Sequence, residues 1–136
     1  MEPNYALVAS SFSLLAPAIV SYKTMNYDIA SMCALLTFVS SYYHYTKNHY
    51  LLYIDYPLNQ VIHLTTLYRI IPGGWYSMPV YGVWLFYVVF IYYYGYMYNT
   101  IIWNPDYEKA TPWHVSLHLS TSIMSSYCIY VTYLIR

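Results

Sequence analysis

Charge is what this sequence has least of. Five Lys or Arg and five Asp or Glu make ten charged residues in 136, against roughly a quarter of an ordinary soluble chain. That is too little to solvate a globular surface, so most of the exterior is expected to face lipid. The charges sit at or near the ends of apolar runs, as Lys23, Asp28, Lys47, Arg69 and Lys109 do, with Asp55 as the exception. Net charge is zero and there is no basic run, which excludes nucleic acid as a partner. The only two cysteines, Cys33 and Cys128, lie in different apolar runs without CxxC or other ligand spacing. They read as buried small hydrophobes. A cleavable signal peptide is not expected, because the first apolar segment lacks a basic start and carries Pro17 in its middle. Tyrosine is abundant instead, with 22 residues, more than an interfacial aromatic belt requires.

The apolar runs are long and punctuated. Residues 5–22 are just enough to cross a hydrocarbon core at the helical rise, and a polar patch from Lys23 to Asp28 closes them. A second run covers 29–46 and ends at Thr46-Lys47-Asn48-His49, a short loop between antiparallel helices. The third, 50–71, contains Pro57 and stops at Pro72-Gly73-Gly74. The fourth, 78–103, terminates in the turn signature Asn104-Pro105-Asp106. The fifth, 111–135, starts where Thr111 can cap and Pro112 suits a first helical turn. The expectation is an all-α, polytopic transmembrane helical bundle of about five helices, one domain over residues 1–136.

Ionisable groups inside such spans are expensive and need a partner or a job. His44 and Asp55 flank a tight loop and share one depth. The start of the fifth helix falls on the same side, which adds His114 and His118, spaced i and i+4 on one helix face. Ser40 lies one turn deeper than His44. Three neutral imidazoles supply three tetrahedral positions around zinc and leave the fourth for water. Asp55 could then accept the water proton and Ser40 hydrogen-bond a developing oxyanion. A histidine pair at this spacing can also serve only to hydrogen-bond a neighbouring helix. His49 reads as a loop residue in water. His63, about 12 Å deeper than Asp55 by the helical rise, reads as a packing residue or a cavity lining.

These residues resemble a known family, the alkaline ceramidases, within the wider superfamily of seven-helix membrane hydrolases that includes the PAQR receptors. Ser40, His44, Thr46 and Asp55 reproduce its Ser-x-x-x-His-x-Thr stretch with an Asp eleven residues after the His. His114, His118, Thr121 and Ser125 fit its last helix, and Glu2-Pro3-Asn4-Tyr5 is similar to its amino-terminal segment. The resemblance implies a zinc amidase that cleaves ceramide to sphingosine and a fatty acid, with His44, His114 and His118 on zinc, Asp55 activating water and Ser40 at the oxyanion. It also implies an endomembrane location, in the endoplasmic reticulum or Golgi. The family fold takes about twice this length, so the chain would be a reduced version of it, and an oligomeric bundle would rebuild the missing wall. The family's calcium site is not expected here, since Glu2 and Asn4 match two ligand positions but Ser13 stands where the first helix should be acidic.

Two other readings remain open at the level of sequence. One is a non-catalytic membrane protein that keeps a structural zinc site and acts as a lipid binder, receptor or assembly subunit. The other is a cluster retained only as glue between helices. Lys23, Arg69 and Arg136 outnumber Lys47 and Lys109, which places the carboxyl terminus in the cytoplasm by the positive-inside rule.

Overall fold

The computed structural model describes residues 3–135, and Glu2 and Arg136 lie outside them. Every regular element among the described residues is helical. The chain forms α1 (Tyr5–Lys23), α2 (Tyr27–Thr46), α3 (His49–Ile70), α4 (Gly74–Val89, continued through a π-turn at Phe90–Tyr94 and on to Tyr98) and α5 (Tyr107–Ile135). Pro17 explains a 3₁₀ turn at Phe12–Leu14 inside α1: its ring cannot donate to, and crowds, the carbonyl one turn back.

Between α3 and α4 the break is compressed into a tight turn. No loop intervenes: helical elements follow one another directly from His49 to Tyr98, and the expected stop at Pro72-Gly73-Gly74 falls where α3 ends at Ile70 and the chain turns. The 3₁₀ turn Ile71–Gly73 extends α3 by three residues, and Gly74, at φ +46, supplies the reversal that a residue with a Cβ resists. His63 then stacks against Trp84, ring centroids 4.5 Å apart, so the two limbs run antiparallel. Gly73 is needed for space: a Cβ there would collide with the hydroxyls of Ser77 and Thr132.

The start of α5 differs from the expected one. The helix begins four residues before Thr111, whose hydroxyl donates to the Tyr107 carbonyl at 2.8 Å instead of capping. Pro112 therefore sits within the helix. Asp106, in the preceding loop, accepts a hydrogen bond from Lys109, 3.1 Å away, which holds its carboxyl below the usual range.

α1 packs antiparallel to α2, as the bond from the Asn4 amide to the His44 carbonyl shows. It runs parallel to α5, through a ladder of side-chain bonds: Asn4 to Thr111 at 2.8 Å, Ser10 with His118 at 2.9 Å and Ser13 with Ser122 at 2.9 Å. Small hydroxyl residues allow that close approach. At the opposite end an Arg69–Asp28 ion pair of 2.8 Å joins α3 to α2. The main core unites Ile29, Cys33, Leu36, Ile62, Tyr81, Trp84, Met124 and Cys128. Both cysteines are free and buried in it, the role the sequence suggests.

α1 and the α3–α4 stretch are each long and apolar enough to cross a membrane, with mean hydropathy of 1.5 and 1.3 in their best windows. α2 and α5 carry many Ser, Thr, Tyr and His residues.

Candidate metal centre

His44 occupies the last turn of α2, where the helix ends in left-handed Lys47 and the short Lys47-Asn48 link turns the chain back. That reversal brings Asp55, in the second turn of α3, to the same level. His114 and His118 project from one face of α5. The three imidazoles converge: ring centroids lie 5.0 Å (His44–His114), 5.5 Å (His44–His118) and 5.0 Å (His114–His118) apart. One ligand nitrogen from each lies within 4.8 Å of the other two. Tetrahedral zinc with bonds of about 2.1 Å asks for about 3.4 Å between nitrogens, so the rings need close by at most about 1.4 Å. This group could hold a metal ion.

His118 is prepared for that role by α1. Ser10 Oγ lies 3.1 Å from the Leu7 carbonyl and 2.9 Å from His118 Nδ1; with its hydroxyl proton on Leu7 it accepts from the ring. In that arrangement His118 carries its proton on Nδ1 and keeps the Nε2 lone pair free for a metal, as outer partners impose on ligating imidazoles. His44 is buried, and its Nδ1 has no hydrogen-bond partner. An orphaned buried nitrogen costs free energy unless something is bound to it.

Ser40 is buried at 2 % exposure, its oxygen 3.3 Å from Ser11 Oγ, and it lies beside the Asp55 carboxyl. Asp55 Oδ1 is buried without a partner. Ser40, His44, Asp55, His114 and His118 all line one cavity of about 380 Å³. An outer cavity of about 540 Å³ adjoins it, sharing His44, His114, Tyr43, Leu52, Tyr56 and Tyr92 as walls. The histidines therefore stand where two chambers meet. Five of the residues singled out in the sequence are thus gathered together. His63 lines the inner cavity, and His49 is exposed at the start of α3.

Three contributors escape a reading of sequence alone. Ser10 acts across the bundle; its only sequence signal is a run of hydroxyls, Ser10, Ser11 and Ser13, inside an apolar segment. Tyr92 reaches both cavities from the π-turn, a distortion often found at functional sites. Lys47 lays its amine 4.9 Å from the ring of Tyr107, another wall of the outer cavity.

Comparison with protein-family models, with curated proteins and with solved structures finds no match to this chain. The likeness to alkaline ceramidases is one of short, ordered motifs.

Proposed function

We propose that this chain is a multi-pass membrane protein of five helical rods that binds zinc through His44, His114 and His118 and hydrolyses the amide bond of a ceramide-like membrane lipid. The observation that carries the reading is the convergence of three imidazoles on a cavity that also contains a buried hydroxyl and a carboxyl group with one oxygen left unpartnered. A structural zinc site has no use for a free carboxylate at its side, so Asp55 favours catalysis over a purely structural role. Membrane embedding is supported by large apolar side chains turned outward, among them Trp75, Phe86 and Val83 at 93 %, 75 % and 73 % exposure. The positive-inside preference puts the Lys23 and Arg69 end in the cytoplasm and the metal centre in the opposite half of an endomembrane.

Bound zinc supplies a Lewis acid that lowers the pKa of water and polarises a carbonyl. Asp55 takes a proton from the attacking water as its oxygen bonds to the amide carbon. Ser40 donates a hydrogen bond to the carbonyl oxygen as negative charge builds there. Asp55 then passes its proton to the departing nitrogen, the C–N bond breaks, and a long-chain amine and a fatty acid leave. A membrane-embedded substrate suits the outer cavity, whose walls are mostly aromatic and aliphatic.

The test measures metal content of the detergent-purified protein by mass spectrometry together with sphingosine release from ceramides. Near-stoichiometric zinc with turnover, both lost in His118→Ala, is the expected result. Turnover by a metal-free His118→Ala protein would overturn the reading. Zinc without turnover would establish the non-catalytic alternative, a lipid binder or assembly subunit, and absence of zinc would leave helix packing alone.

A further inference from the structure

The inner cavity is polar at two separate places. One is the metal centre. The other lies deeper, where His63 and Trp84 face each other across the α3–α4 limbs. Trp84 is 7 % exposed and its Nε1 has no hydrogen-bond partner; His63 Nδ1 is likewise buried and unpartnered. Asn59 and Gln60 line the cavity between this pair and Asp55, while Leu64, Leu85 and Val88 supply apolar wall. Two unpaired nitrogens inside an apolar bundle carry a desolvation cost that a matching ligand group would relieve.

The chemistry of the pair restricts what that group can be. An indole N–H only donates, whereas the neutral imidazole Nδ1 can accept when Nε2 carries the proton. A single alcohol satisfies both, accepting from Trp84 Nε1 and donating to His63 Nδ1. A carbonyl satisfies the indole alone, and a methylene satisfies neither. His63 follows Asp55 by eight residues on nearly the same helix face, about 12 Å along the axis. An extended chain advances about 1.2 Å per bond, so the hydroxyl belongs about ten bonds from a carbonyl held at the metal centre. The headgroup hydroxyls of a ceramide are only a few bonds from its amide, too close to reach.

The geometry points to a hydroxyl-recognition site at His63 and Trp84 that selects lipid amides whose acyl chain carries a mid-chain hydroxyl. The inference rests on the lipid-amide reading of the adjoining centre, which names the chain that bears the hydroxyl.

The experiment separates the two. Binding of 10-hydroxyoctadecanoic acid and of octadecanoic acid to the purified full chain is measured by competition against a radiolabelled fatty acid, where no turnover is needed. Hydrolysis of the corresponding ceramides is measured in parallel. The hydroxylated acid should bind roughly tenfold more tightly. The preference should vanish in Trp84→Phe, which keeps an aromatic ring but removes the donor, and in His63→Leu, which lies outside the main core cluster and reads the site even if the first variant fails to fold. Equal binding of the two acids, or a preference retained in the folded variants, overturns the site. A preference without hydrolysis of either ceramide keeps the site and discards the amidase; hydrolysis without a preference does the reverse.

Discussion

Ser10→Ala tests the metal centre through a residue that touches no metal. In the native chain the Ser10 hydroxyl lies 2.9 Å from His118 Nδ1 and 3.1 Å from the Leu7 carbonyl, so it can accept the hydrogen bond of the Nδ1 proton while its own proton goes to Leu7. Alanine removes the acceptor, frees the ring to take the other tautomer and leaves a nitrogen without its partner. Losing an outer partner of a ligating histidine typically costs about 10- to 100-fold in metal affinity, which corresponds to about 1.4–2.8 kcal/mol. The assay is zinc competition against a chromophoric chelator in detergent, at one fixed pH, with thermal unfolding of the metal-free protein as a control for folding. Ser10→Thr, which retains the hydroxyl, should recover most of the affinity. Unchanged affinity in Ser10→Ala would refute the proposed ordering of His118 from α1.

Further outcomes follow from the same geometry. Asp55→Asn should keep its zinc but lose about 10²- to 10⁴-fold in ceramide turnover, because the amide cannot take the water proton; full activity would remove Asp55 from the mechanism. Zinc binds neutral imidazole, so affinity should hold at neutral pH and above and be lost only once the medium is acid enough to protonate His44, His114 and His118; chelator titrations that show zinc retained in strong acid would exclude a histidine-only ligand set. Gly73→Ala should lower stability by about 1–3 kcal/mol, because the added methyl meets the Ser77 and Thr132 hydroxyls, and an unchanged melting temperature would contradict that close approach.

Much of the site could be read from spacing. The four-residue spacing of His114 and His118 puts them on one helix face, and the short link after Thr46 forces Asp55 back to the level of His44. Both are local consequences of helical pitch and loop length, which is why they survive in the folded chain. What spacing could not reveal depends on contacts between distant segments. Ser10 finds His118 only because α1 and α5 run side by side in the same direction. Tyr92 enters the cavity wall through a π-turn that no residue pattern announces. Proline was less decisive than it looks at Pro112, which is held inside α5 because helical bonding around a proline can be restored by neighbouring groups, whereas Pro72-Gly73-Gly74 does end α3 and turn the chain.

The parallel pairing of α1 with α5 sets a timetable. Ser10 and His118 are 108 residues apart, and segments nearer the amino terminus emerge first from the ribosome. While α1 to α4 are being made, His44 waits without its two companions and Ser10 without its ring. The cluster comes into being only when α5 is laid into the slot beside α1, so products that stop short of α5 lack it altogether.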